Sequence, residues 1–341
     1  MASAIVYKIT IKKTQVSADL KGVPVRIVLR DDAIVGAVCR SDGFDVIFKT
    51  AAGVDLGCQR RSFAVASSEA TGVFIVFCNL SSTVDTIIYL WAGDASASDT
   101  SSEGWDANTL GLLTLHETPT GTEGDFKDWT SNNNDSTNTS YQPTHTVGKL
   151  DGVARFSGSY QYVEIGTGLA VGGTALTIEG WFSVSAYVTD KAFLCQRQER
   201  WQLICPDYDG HIQFCLWSSG SQYNYTPTEV WPLDEWFHLV LTYDGQHVIF
   251  YKDGDVFQSF DCTYSIDTDT VTTRIGADLW SGFYSGKQTE IGIHNTARSA
   301  AWVHWRYHNT VVDNGQLTLE VPAVAGGGGG SGSLVGGGLV S

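Results

Sequence analysis

Hydrophobic and polar residues alternate with a period of two through most of the chain, the pattern of strands with one covered face. Ile5, Tyr7, Ile9 and Ile11 share one side of residues 5–11, while Lys8, Thr10 and Lys12 take the other. Val23, Val25, Ile27 and Leu29 repeat it, and Pro24 on the opposite parity marks an edge strand or a strand start. Further strands are expected at 44–49, 73–78 and 84–91, separated by Gly, Asp and Ser clusters that read as turns. Residues 94–103 and 118–149 are polar and almost without aliphatic side chains, so they read as connections. Between them, 105–117 holds enough apolar residues to pack down.

The second half is more regular. In 176–184, Leu176, Ile178, Gly180, Phe182 and Val184 lie on one face and Thr177, Glu179, Trp181 and Ser183 on the other. A meander is expected at 192–196, 201–205 and 211–217, its last turn at Asp209-Gly210. Residues 237–260 read as three strands joined at Asp244-Gly245 and Asp253-Gly254. Only 297–308 has helical spacing, with Asn295 or Thr296 placed to cap it.

Composition sharpens this picture. With 341 residues, 43% hydrophobic and 17% charged, the chain can bury a core, and both disorder and a coiled coil are poor readings. Its 37 Gly, 11 Trp, 14 Tyr and 15 Phe suit many short strands, so the expected fold class is all-β. A net charge of −16 disfavours nucleic acid and anionic lipid as partners. The first residues alternate rather than forming a charged then apolar leader, so no secretory signal is expected. No 18-residue apolar run suggests a membrane span. Seven cysteines, an odd number thinly spread, read as buried free thiols. Cys195, Cys205 and Cys215 recur every ten residues on consecutive strands, where a hairpin could bring neighbours together.

Four blocks carry a resemblance: LDGVARFSGSYQYVEIG (150–166), LTIEGWFSV (176–184), WFHLVLTYDGQHVIFYKDG (236–254) and IGADLWSGFYSGKQTEIGIHNTARSAAWVHWRYHN (275–309). In this order they resemble the laminin-G-like, concanavalin A-type jelly roll. That family often writes Asp-Glu where Thr289-Glu290 stands here, so no carboxylate role is carried over there. Earlier in the chain, GVPVRIVLR, GFDVIFKTAAG, VDTIIYLWAGD, EGWDAN and Leu115-His116-Glu117 resemble a small β domain of unknown function. That domain is found upstream of such jelly rolls in prokaryotic surface and phage structural proteins. The resemblance implies architecture without catalytic residues and, with no leader, a virion assembled in host cytoplasm.

Enzymatic chemistry finds little support in the sequence. Glycoside hydrolysis needs two carboxylates flanking one bond, and Glu164, Glu179 and Glu290 stand singly on separate strands. Asp253 with Asp255, and Asp267 with Asp269, read as turn formers. His304 and His308 are four apart, but Trp305 occupies the place where a zincin has glutamate, so an aromatic packing face is the plainer reading. Gly327, Gly329 and Gly332 match a phosphate-loop spacing without a preceding strand or a following helix. Calcium is common in the resembled family, yet no spaced ligand set can be named, so no metal or cofactor is assigned.

Aromatic residues carry the functional expectation, because sugars stack their apolar faces on such rings while polar neighbours fix the hydroxyls. Residues 218–226 and 278–287 read as exposed loops with both ingredients, and Tyr223, Asn224, Tyr225, Asp278, Trp280 and Tyr284 are the candidate glycan contacts. The expected organisation is an N-terminal β domain (1–117), a polar linker (118–148), a concanavalin A-like (laminin-G-like) jelly roll (149–312) and a Gly-rich tail (313–341). In that tail Leu334, Val335, Leu339 and Val340 are candidate docking residues for other virion proteins. The function read from this is a non-enzymatic, oligomeric virion surface protein, on tail or capsid, that binds host-surface glycans. A purely structural packing role and a glycan-cleaving enzyme are the alternatives.

Overall fold

A computed structural model describes residues 4–99, 104–169, 171–187, 192–197, 200–205, 209–268, 272–278, 282–311 and 317–321. The chain divides into two compact units, one of Met1–Asp106 with His304–Ser341, the other Ala107–Val303. In sequence, the second is inserted into the first.

The first unit opens with β1 (Ala4–Ile11), β2 (Leu20–Asp32), a single helical turn α1 (Ala33–Gly36) and β3 (Ile47–Thr50). It continues with β4 (Cys58–Ala66), β5 (Glu69–Leu80) and β6 (Thr86–Ala92). Two antiparallel sheets result, one containing β1, β6 and β3 and one ordered β2-β5-β4. The even-spaced apolar set is the buried one: Ile9, Ile11, Val25, Ile27, Phe48, Phe74 and Leu90 are all at most 1% exposed. Pro24 does lie on an edge strand, since β2 pairs only with β5. Strand β4 was not anticipated. A bulge between Arg60 and Ser62 breaks its alternation, so Arg60 and Arg61 interrupt what would otherwise be a period of two.

The inserted unit contributes β7 (Thr109–Leu113), β8 (Thr144–Thr146), β9 (Val153–Ser157), β10 (Val163–Glu164) and β11 (Leu176–Val184). Next come β12 (Ala192–Arg197), β13 (Trp201–Cys205), β14 (Gln213–Ser218) and β15 (Ser221–Tyr225). The last are β16 (Phe237–Tyr243), β17 (His247–Lys252), β18 (Asp255–Asp261), β19 (Thr273–Ile275) and β20 (Ser285–His294). They form an eight-stranded sheet ordered β18-β17-β16-β11-β20-β9-β8, with β7 also on β20, and a six-stranded sheet ordered β10-β19-β12-β13-β14-β15. Their hydrophobic core holds Phe182, Trp201, Phe214, Trp231, Phe237 and Phe250. The Asp244-Gly245 and Asp253-Gly254 corners stand where expected, with φ of +85° at Gly245 and +89° at Gly254.

Helix α2 (Ala300–Thr310) leads the chain back into the first unit, and β21 (Leu317–Glu320) then pairs with β1. The helix begins later than expected: Ser299 Oγ, rather than Asn295 or Thr296, accepts from the Trp302 amide at 3.3 Å. Its first-unit half covers the open edge of β2. Trp305 Nε1 donates to the Pro24 carbonyl at 2.8 Å, and Asn309 Oδ1 accepts from the Arg26 amide at 2.7 Å. Two edge groups that would otherwise invite another strand are thereby occupied.

The expected boundaries at 117 and 149 differ from this division. Thr109–Leu113 pairs with β20, and Phe126, inside the stretch read as linker, is buried in the second unit's core. Polar side chains there replace a regular ladder. Asp128 accepts from the Leu112, Thr130 and Asn134 amides, and Asn132 and Asn134 donate to the Leu110 carbonyl. Residues 218–226 form the tip and second strand of a hairpin rather than a loop: β14 ends at Ser218, the chain turns at Ser219-Gly220, and β15 runs to Tyr225.

Candidate functional site

Among the described residues only three aromatic side chains are exposed, Tyr141 (61%), Tyr160 (66%) and Tyr264 (40%). Each stands against another ring. Tyr264 stacks on Tyr223 with centroids 3.5 Å apart, and Tyr141 contacts Tyr160 at 6.4 Å.

The Tyr141 and Tyr160 pair belongs to a larger group built from three loops beside β10 and β19. Tyr141 also stacks on Tyr162 at 6.4 Å, and Tyr160 meets Phe283 at 5.1 Å, so Tyr162, Tyr141, Tyr160 and Phe283 follow one another in series. Polar side chains lock the loops. Asn138 donates to the Ser140 and Tyr162 carbonyls at 2.9 and 3.0 Å and accepts from the Glu164 amide at 3.0 Å. The Tyr162 amide donates to the Tyr141 carbonyl at 2.9 Å, and Gln161 Nε2 donates to the Gln142 carbonyl at 3.1 Å. Tyr141 (φ +61°) and Tyr160 (φ +55°) both adopt the left-handed backbone, uncommon for bulky side chains.

Beneath the rings, the Arg274 guanidinium lies 4.4 Å from the Tyr162 ring centre. Its Nε and Nη2 both stand 2.6 Å from Glu164 Oε2, and Nη1 donates to the Asp278 carbonyl at 3.2 Å. Asp278 Oδ1 accepts from the Gly282 amide at 2.8 Å, closing the turn that leads to Phe283. One turn further out, Asp125 accepts from the Thr120, Gly121 and Thr122 amides. Burial opposes its ionisation, but the Thr122 and Thr120 bonds outweigh this and hold its carboxyl well below the usual range. The Thr122 carbonyl in turn accepts from Gln142 Nε2, next to Tyr141.

The sequence-chosen residues are not gathered into one site. Tyr223 and Asn224 are adjacent on β15, so the pleat sends their side chains to opposite faces. Tyr225 is a core residue, packed on Phe214 and Phe260, and burial raises its hydroxyl pKa. Tyr284 is 1% exposed and donates to the Ser183 carbonyl at 3.0 Å, so it too cannot meet a ligand. Asp278 lies near β19, four strand positions from β15 across the sheet, about 19 Å at the usual strand spacing. It joins the group around Tyr160, where Tyr141, Tyr160, Tyr162 and Phe283 were not anticipated. Trp280, with Leu334, Val335, Leu339 and Val340, lies outside the described residues.

The carboxylates considered for catalysis are engaged. Glu179, fully buried, lies 3.2 Å from His294 Nε2, and Arg298 Nη2 lies 3.0 Å from His294 Nδ1. His304 and His308 contact each other on α2, and among the described residues no group of three or more His, Cys, Asp or Glu could hold a metal ion. Cys215 is buried, and its Sγ donates to Gln213 Oε1 at 3.2 Å; in the register it faces Gln202 and Asn224, while Cys195 faces Leu203 and Cys205 faces Ala192. The side chains of Cys195 and Cys205 lie outside the described residues. No described helix is long and apolar enough to cross a membrane.

Residues 157–304 match the family model described as the concanavalin A-like lectin/glucanases superfamily. The inserted unit carries a concanavalin A-like domain. No curated protein matches the chain. Among solved structures, the binding domain of Paraclostridial Mosquitocidal Protein 1 aligns at 13% identity and TM-score 0.48, over 59% of this chain and 52% of that one. Domain 4 of AbnA, a GH43 extracellular arabinanase from Geobacillus stearothermophilus in complex with arabinotriose, aligns at 19% identity and TM-score 0.47, over 59% and 100%. The binding domain of Botulinum Neurotoxin DC in complex with SialylT aligns at 9% identity and TM-score 0.44, over 60% and 52%. This chain thus spans about half the length of those two toxin binding domains. Tyr160, Tyr162 and Phe283 lie within the matched residues, and Tyr141 precedes them in the same compact unit.

Proposed function

We propose that the concanavalin A-like domain binds glycan on the platform formed by Tyr141, Tyr160, Tyr162 and Phe283. The observation that carries this reading is the outward display of Tyr141 and Tyr160, the two most exposed aromatic side chains described, both on left-handed backbone. A monomer gains nothing in its core from such rings, and strain of this kind persists where the surroundings enforce it, commonly at ligand sites. Tyrosine offers an apolar face to a sugar ring and a hydroxyl to its rim.

The setting we propose is a virion surface, on the strength of the N-terminal sequence resemblance, with the Gly-rich tail attaching to other virion proteins. Normal incorporation into particles after deletion of 322–341 would remove the attachment role.

Glycan-array binding tests the main reading. Tyr160→Ala and Tyr141→Ala should each weaken binding about tenfold, the upper end of the ~0.5–1.5 kcal/mol typical of an aromatic contact, with Tm unchanged. Tyr264→Ala should leave binding intact. An array on which the wild-type protein binds no glycan overturns the reading in favour of a packing role.

A further inference from the structure

The platform's ring spacing and charge bear on what kind of glycan it takes. The rings run in series, with centroid separations of 6.4, 6.4 and 5.1 Å from Tyr162 through Tyr141 and Tyr160 to Phe283. Each step is comparable with the advance of one pyranose unit along a polysaccharide. A site for a single terminal sugar needs one ring and an enclosing wall; here the two central rings are more than 60% exposed and continue into a neighbour on either side. Such a row suits a chain lying across it.

Charge narrows the class. Arg274 lies under Tyr162, and Glu164 Oε2 accepts from both its Nε and its Nη2, so the guanidinium fork is already matched by a carboxylate. The third nitrogen is spent on the Asp278 carbonyl. An acidic sugar would have to displace Glu164 and approach a protein of net charge −16. We infer that the platform recognises the interior of a neutral polysaccharide, several units at a time, and discriminates against uronic and sialic acid chains through the Glu164 lock on Arg274. This inference rests on the glycan-binding reading.

The test is titration calorimetry of the full chain with malto-, cello-, manno- and galacto-oligosaccharides of one to six units, beside oligogalacturonides and oligosialic acid of the same lengths. In at least one neutral series affinity should rise tenfold or more between one and four units and then level, with the acidic series at least tenfold weaker. Phe283→Ala should move the plateau to a shorter oligomer while sparing the affinity for the shortest. Glu164→Gln should raise affinity for the acidic series at low salt. A monosaccharide bound as tightly as its tetramer, an acidic series preferred by the wild type, or Glu164→Gln without effect on the acidic series overturns the inference and leaves glycan binding standing. If neither these series nor the array yields a ligand, the glycan-binding reading itself falls.

Discussion

Tyr141 and Tyr160 hold backbone that brings Cβ against the following carbonyl, a conformation costing about 1–2 kcal/mol for a non-glycine residue. Asparagine tolerates it better. Tyr160→Asn is therefore expected to raise the Tm of the inserted domain by about 2–4 °C while weakening glycan binding about tenfold; differential scanning calorimetry beside the array measures both. A fall in Tm would mean that the ring itself contributes to stability. The opposite response is expected at Gly292, where an added Cβ would stand 2.6 Å from Glu179 Oε1. Gly292→Ala should cost roughly 1–3 kcal/mol by denaturant titration, since the buried carboxylate beside His294 has no room to yield. The sequence shows where aromatic residues gather but not which of them face outward. Tyr225 and Tyr284 stand among polar neighbours yet point inward, and packing on residues distant in sequence decides that, Phe260 for Tyr225 and the Ser183 carbonyl for Tyr284. Tyr141 and Tyr160 sit in stretches without alternation, flanked by Ser and Gln, and that absence of period is the signal that could have exposed them.

At the level of elements, the Asp-Gly corners and the period of two located β16, β17 and β18 because both signals are local. The stretch 118–148 was misleading for a physical reason: its Asp, Asn and Thr side chains serve as hydrogen-bond partners for backbone, a task invisible to a count of apolar residues. Asp125 supplies a test. Its folded-state pKa is depressed, so the charged form is the one the fold favours, and the stabilisation is complete above the unfolded value near ~4 and lost as pH falls through the folded one. Asp128 acts in reverse: burial raises its pKa despite the Leu112, Asn134 and Thr130 bonds, so ionising it opposes folding. Asp125→Asn should lower Tm at pH 7 and also weaken glycan binding, because Thr122 holds Gln142 beside Tyr141. The Tm deficit should shrink between pH 5 and pH 3; a deficit constant across that range would show that charge is not the cause.

The whole molecule is one β unit interrupted by another. A fragment of residues 107–311 contains every strand of the inserted unit and should melt cooperatively by circular dichroism, whereas 149–311 lacks β7 and buried Phe126 and should melt lower or not fold. Equal melting of the two would place the boundary back at 149. The interrupted course has a consequence for synthesis. A ribosome delivers residues in order, and after Asp106 about 200 residues emerge before His304 appears. At ~5–20 residues per second that is roughly 10–40 s, during which the nascent N-terminal sheets wait without α2 along β2 and without β21 beside β1. For that interval the cell holds a half-built sandwich with bare edges, and its yield will depend on how well chaperones shield them.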